Sequence, residues 1–324
     1  MVENKPHIFF NDEGICNLCV EFDKHKKSPE RQLETDLIQI INKHKGKQKY
    51  DCLVMCSGGK DSTASLYYMK KRYGLNVLAF TFDHGFESHE ALENIKNAVE
   101  ILDVDFMYFK SDFMKPLFKR ILSTNSKAVI CHPCSIWYMD LAYQVAEKYK
   151  IPMIVAGWTK GQSVKQPIVS KCGCGSNLPE FVSMSEATAE FFDKEIKSMP
   201  QYKNFPNSMQ EVQKRANKRH KSIVISPLWF LPFDSNEYIN LIKNELKWKV
   251  PKISYPGGST NCMLNFISVH NSMKNFGYTH YHVEMSKLIR EGLITRSEAI
   301  KKLEINFDKK LLNEVGEKLD YKFS

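Results

Sequence analysis

The sequence contains no long apolar run. No stretch reaches the roughly 20 residues that a helix needs to cross a bilayer, and "MVENKPHIFFNDEG" has no signal-peptide core. A membrane protein is therefore not expected, and a cytoplasmic location is the default. There is no internal repeat and no low-complexity tract, which excludes solenoid and fibrous architectures. The formal charge of +9 comes mostly from scattered lysine, as expected of solvated faces. One run is dense, Lys214 to Lys221, and it is compatible with RNA or another polyanion.

What is present is ordinary in bulk and unusual in detail. The 324 residues, 43% hydrophobic and 26% charged, suffice for one large domain with additions or for two domains. Nine cysteines is a high count for a reducing compartment. There, paired spacings suggest metal or redox chemistry rather than disulfides.

Apolar runs alternate with helical patterns through the middle of the chain. Strands are expected at Asp51 to Cys56, "LNVLAFTFDHG", "DFMYFK", "PMIVAGW" and "SIVISPLWFLPFD". Helices are expected at Asp61 to Tyr73, Ser88 to Leu102, Met114 to Leu122 and Cys134 to Tyr149. This order predicts an α/β fold with a doubly wound, mostly parallel sheet. It divides the chain into three regions: 1–47, a Cys-x-x-Cys segment; 48–235, a nucleotide-binding domain; and 236–324, a helical region. Near the end, Thr295 is expected to cap a helix over Arg296 to Leu303, with Glu298 three residues on.

The most informative stretch is "LVMCSGGKDSTASLYYM", in which Ser57-Gly58-Gly59-Lys60-Asp61-Ser62 lies between a buried strand and a helix. Two glycines let backbone N–H groups turn towards an anion, and the helix start adds positive potential. Lys60 supplies charge, and Ser57 and Ser62 supply hydroxyls. A plain tight turn does not account for the lysine, aspartate and serines together. The Gly-x4-Gly-Lys-Ser/Thr pattern of the common P-loop is absent.

"SGGKDS" after a buried strand resembles the PP-loop ATP pyrophosphatase superfamily, whose sheet is of the adenine nucleotide alpha hydrolase type. The resemblance runs from about Tyr50 to Phe233. It implies cleavage of ATP between the α- and β-phosphates, with AMP transferred to a carbonyl or carboxylate oxygen and then displaced by a nucleophile. It further implies that Ser57 to Ser62 hold pyrophosphate, with Lys60 and Asp61 catalytic and Asp61 helping to organise Mg²⁺. Phe80, Thr81 and Asp83 would lie along adenine and ribose. Gly157 would face the α-phosphate, and Lys160 would meet developing negative charge.

The cysteines divide into groups. Cys52 and Cys56 are expected in the core. Cys131 and Cys134 open a helix, where thiol pKa values are expected to fall, at a spacing usual for a metal or cluster. In the tRNA thiolase branch of the same superfamily, such a pair joins a distant cysteine to hold a [4Fe–4S] cluster, and Cys262 is the candidate third ligand. The plainer alternative is a reduced pair and a buried thiol. Cys16, Cys19, Cys172 and Cys174 together could form a zinc site.

The flanks resemble a different branch. "IFFNDEGICNLC" and "NFGYTHYHVEMSKLIREGLITRSEAIKKL" are similar to the two ends of N-acetyl sugar amidotransferases of surface-glycan biosynthesis. That branch usually carries a further upstream Cys-x-x-Cys, which this sequence does not contain. The resemblance implies an N-acetyl sugar acceptor and ammonia from a glutaminase partner. Nitrogen transfer to such a sugar is the first reading. Sulfur transfer to tRNA or a small carbonyl compound through Cys131, Cys134 and Cys262 is the alternative. A nucleotide-binding scaffold without catalysis is a third reading, disfavoured by the intact loop. A homodimer is compatible with all three.

Overall fold

A computed structural model of the chain describes residues 1–24, 33–162, 179–232, 234–256, 262–305 and 307–323. Five parallel strands form one sheet in the order β3-β2-β1-β4-β5. They are β1 (Cys52–Met55), β2 (Val77–Asp83), β3 (Asp105–Lys110), β4 (Met153–Val155) and β5 (Ile223–Ile225). Every residue of β1, β2 and β4 is buried, as continuous apolar runs require when helices cover both faces. The strand at one edge, β3, is mostly exposed.

Two apolar layers lie against the sheet. Leu53, Met55, Phe80 and Ile154 face one, with Met139 and Tyr143 of helix Cys131–Tyr149. Cys52, Val54, Ala79 and Val155 face the other, with Leu66, Met69 and helix residues Tyr238, Ile242 and Leu246. The alternation within β1 is the period-2 geometry of a strand. Cys52 and Cys56 are core residues, and burial pushes the Cys56 thiol up to about 12.

The expected elements appear with shifted ends. The helix after the glycine loop is Lys60–Tyr67 and continues as a π turn over Tyr68–Arg72. Ser88 caps His89–Leu102 by accepting a hydrogen bond from Ala91 N at 3.1 Å. The helix expected from Cys134 begins at Cys131, so both cysteines lie in its first turn. Thr295 and Glu298 form the expected reciprocal cap. Helices predominate after β5: Ser235–Leu246, Leu264–Phe276, His280–Arg290, Arg296–Leu303 and Lys309–Lys318. Among the described residues, no helix is long and apolar enough to cross a membrane.

Strand order reverses between β1 and β4. At such a switch point the crossovers diverge to opposite faces, leaving a crevice at the carboxyl ends of the two strands. The loop after β1 is Ser57 to Gly59, and the turn after β4 holds Gly157.

Candidate active site

The glycine loop is bound on all sides. Gly58 adopts φ +73°, and a Cβ there would lie 2.2 Å from the carbonyl oxygen of Ala91. The Gly58 carbonyl accepts hydrogen bonds from Trp248 Nε1 at 2.9 Å and Asn94 Nδ2 at 3.2 Å. Ser57 N donates to Ser62 Oγ at 3.2 Å, and Ser62 Oγ donates to the Gly59 carbonyl at 3.2 Å. Asp61 is held between Lys60 Nζ and Tyr238 OH, each at 2.6 Å. Helix Lys60–Tyr67 starts here with no side-chain cap, so its first N–H groups can serve an anion.

Gly157 closes the other wall. A Cβ on it would come within 2.5 Å of Ser62 N and Cα. The two glycine turns thus pack backbone to backbone. Between them lies a cleft of about 230 Å³, lined by Ser57, Gly59, Asp61 and Ser62, by Ala156, Gly157, Trp158 and Gln162, and by Ser135 and Tyr138 of the cysteine helix. Trp158 stacks on Trp229, with centroids 6.1 Å apart, while forming part of this lining. The turn after β4 is clamped from the C-terminal region. Thr159 Oγ1 donates to Glu284 Oε1 at 3.2 Å, Lys287 Nζ donates to the Lys160 carbonyl at 3.0 Å, and a Cβ at Gly161 would meet Glu284 Cγ.

The residues expected along adenine and ribose have other partners. Phe80 is buried in the core with its ring 5.6 Å from Tyr138. Thr81 Oγ1 donates to the Cys56 carbonyl at 2.7 Å, tying β2 to β1. Asp83 accepts from Gly85 N at 2.7 Å and from Tyr108 OH. None of these three side chains belongs to the cleft lining, whereas Gly157 does. Cys16 and Cys19 have their sulfurs 3.5 Å apart. Cys172 and Cys174 lie outside the described residues.

A second constellation adjoins the cleft. Burial holds the Cys262 thiol well above its usual pKa, with the nearby Glu87, Cys134 and Cys131 adding to the effect. Cys134 is raised likewise, by burial first and then by Cys131 and Glu87. The lowered pKa expected for a helix-start thiol is thus corrected at Cys134, because desolvation outweighs the helix dipole. Among the described residues, His84, Glu87 and Cys262 form a group whose ligand-type atoms all lie within 4.8 Å of one another. Glu87 and Cys262 are joined by an antiparallel bridge, and Met263 N donates to the Phe86 carbonyl at 2.8 Å. Burial lowers the His84 pKa to about 4, and burial with the adjacent Asp83 raises Glu87 to about 8. Tyr138 lines the cleft, and its ring lies 6.1 Å from that of Phe82, which in turn lies 5.9 Å from the His84 ring.

Sequence reasoning passed over Tyr238, Trp248 and Asn94, which hold the loop from distant positions. It also passed over Glu87, although His84-x-x-Glu87 directly after a buried strand was a readable signal.

Residues 51–164 match the family described as "Queuosine biosynthesis protein QueC". The matched segment contains both glycine turns and the strand-order switch. The matched segment, residues 51–164, is of the PP-loop ATP pyrophosphatase type. The chain is 23% identical over 302 residues to the uncharacterized protein MJ1599 of Methanocaldococcus jannaschii, covering 93% of this chain and 90% of that one. NMN synthetase from Francisella tularensis is similar at 12% identity and a TM-score of 0.40, covering 88% of this chain and 100% of that one. An NH3-dependent NAD synthetase from Campylobacter jejuni is similar at 12% identity and a TM-score of 0.29, covering 73% and 96%. ATP-dependent, adenylation-type chemistry is the common activity of the PP-loop superfamily, and the cradle between Gly58 and Gly157 suits it. Neither glycine has room for a Cβ, so the close backbone packing that shapes the cradle requires both.

Proposed function

We propose that this protein adenylates a carbonyl oxygen with ATP and then replaces that oxygen by sulfur. In the first step the acceptor's carbonyl oxygen attacks the α-phosphorus, and the bond from that phosphorus to pyrophosphate breaks. Lys60, the backbone N–H groups of the loop and the start of helix Lys60–Tyr67 neutralise the departing pyrophosphate. Mg²⁺, for which Asp61 is the carboxylate in the loop, would supply further charge neutralisation when bound. Gly157 keeps the opposite wall low, so the acceptor can approach the α-phosphate. In the second step sulfide adds to the activated carbon, and AMP leaves with the former carbonyl oxygen. No oxidation is involved, since S²⁻ replaces O²⁻.

What favours the sulfur reading is that the buried Cys262 thiol, on a distant segment, feels the charges of Glu87, Cys134 and Cys131, while Cys131 and Cys134 share a helix with the cleft residues Ser135 and Tyr138. A buried thiol gives up its proton readily only to a compensating cation, and three thiolates are a donor set for iron–sulfur ligation. A [4Fe–4S] cluster held by these residues would supply sulfide next to the adenylated carbon. Anaerobic purification followed by iron and sulfide analysis tests the reading. The expected content is about four irons per chain. Cys131→Ala, Cys134→Ala and Cys262→Ala should each lose iron and acceptor conversion while still binding ATP. An iron-free protein that converts its acceptor would overturn it.

Nitrogen transfer to an N-acetyl sugar is the second reading, and a separate observation supports it. The two ends that resemble the sugar amidotransferases pack on each other. Asn4 Nδ2 donates to Tyr278 OH at 3.1 Å, and Ile8 and Cys16 share a buried cluster with Tyr278 and Val283. Burial raises the Cys19 pKa, and Arg290 lies close enough to oppose that rise. The same iron-free preparation would then consume ammonia, with ¹⁵N appearing in the sugar product.

A further inference from the structure

His84 follows β2 and is buried, with its ring against Phe82, Phe86 and Phe118. Its two nitrogens have distinct surroundings. Nδ1 lies 3.3 Å from Phe86 N, a backbone N–H that can only donate. Nδ1 is therefore the acceptor, and the ring proton is on Nε2. Nε2 faces Cys262 Sγ at 3.5 Å and Glu87 Oε1 at 3.4 Å.

This arrangement departs from two familiar roles. In a nucleophile–histidine–carboxylate relay, the nucleophile and the carboxylate occupy opposite ring nitrogens. Here both approach the same one. A histidine that ligates a metal usually donates its other N–H to a fixed acceptor. Here the other nitrogen accepts. What remains is a fixed N–H donor directed at the Cys262 sulfur. The bridge between Glu87 and Cys262 and the Met263–Phe86 hydrogen bond keep sulfur and ring in register.

We infer that His84 is a positioning residue whose Nε2–H donates to the Cys262 sulfur and sets the reduction potential of the metal centre there. The inference rests on the three-cysteine reading of the function. Hydrogen bonds to ligand sulfur are among the levers that set cluster potentials. A donor stabilises the more negative, reduced state, so losing it moves the potential downward. Glu87 shares the same N–H, which places a carboxyl group beside the centre.

The test uses the full chain reconstituted anaerobically with iron and sulfide. Wild type, His84→Leu and His84→Gln are compared for iron content and for midpoint potential by EPR-monitored titration. The expected result is equal iron in all three, a more negative potential in His84→Leu and a return towards wild type in His84→Gln. An unchanged potential in His84→Leu overturns the inference alone. Loss of iron in His84→Leu also overturns it, because His84 would then be a ligand. Should the leucine variant fail to fold, wild-type protein labelled with ¹⁵N-histidine decides the matter by pulsed EPR. A weakly coupled nitrogen supports the donor role, and a strongly coupled or absent one refutes it. A wild type without iron overturns both this inference and the sulfur-transfer reading.

Discussion

At the residue scale, the cleft depends on what two glycines leave out. Gly157 has no side chain, and that lets the turn after β4 rest on Ser62. Gly157→Ala introduces a carbon 2.5 Å from the Ser62 backbone, which is not a flexible neighbour. The loop must shift by a fraction of an ångström to an ångström, and misplacement of that order costs about 100-fold in rate. ATP-dependent pyrophosphate release should fall by about that factor, while the far-ultraviolet circular dichroism stays native. A rate within threefold of wild type would mean that the loop is not the reacting wall. Asp61 shows the same economy of position, since Lys60 and Tyr238 hold both of its oxygens. Lys60 and Asp61 were legible because they adjoin the glycines. Tyr238 was not, because it lies 177 residues away and nothing local marks it as a partner.

At the element scale, a helix start borders the cleft, and how it is capped matters. Helix Lys60–Tyr67 opens without a side-chain cap, which leaves its N–H groups to the cleft. Helix Arg296–Leu303, which packs on helix His280–Arg290 and lies outside the cleft lining, has the full reciprocal box of Thr295 and Glu298. Thr295→Ala should destabilise the protein by about 1 kcal/mol in urea unfolding, with pyrophosphate release unaffected. A loss above about 2 kcal/mol, the upper end for such caps, would mean that the helix supports more than itself. Helix Cys131–Tyr149 brings Cys131, Cys134, Ser135 and Tyr138 onto one structure, so these two cysteines and the cleft share a helix. In the basic run, Arg215 pairs with Glu211 at 2.5 Å and Arg219 with Glu147 at 3.0 Å, so both arginines are already engaged by acidic groups.

At the scale of the whole molecule, the nucleotide-binding unit leans on the helical region after β5. Tyr238, Ile242, Leu246 and Trp248 are buried against the sheet layer that carries the loop. Burying each such side chain contributes about 1.5–3 kcal/mol, and together they rival a typical total stability of about 5–15 kcal/mol. A fragment of residues 48–235 should therefore lack a cooperative thermal transition by circular dichroism. A sharp transition in that fragment would show that the boundary at 235 separates independent units.

The sequence by itself determined the alternation of strands and helices and the loop after β1, and with them the expectation of ATP-dependent, adenylation-type chemistry. These are local: a period-2 or 3.6 pattern, a Gly-Gly turn and a capping box each act within a few residues. Cys52 and Cys56 were readable as core for the same reason, lying in or beside an unbroken apolar strand. Tertiary structure decided which distant groups meet. It brought Cys262 to His84 and Glu87, and seated Trp248 and Tyr238 on the loop. It also raised the Cys134 pKa where the helix start alone predicts a fall. The physical reason is that desolvation and long-range contact depend on the packed interior, which no short stretch of sequence contains.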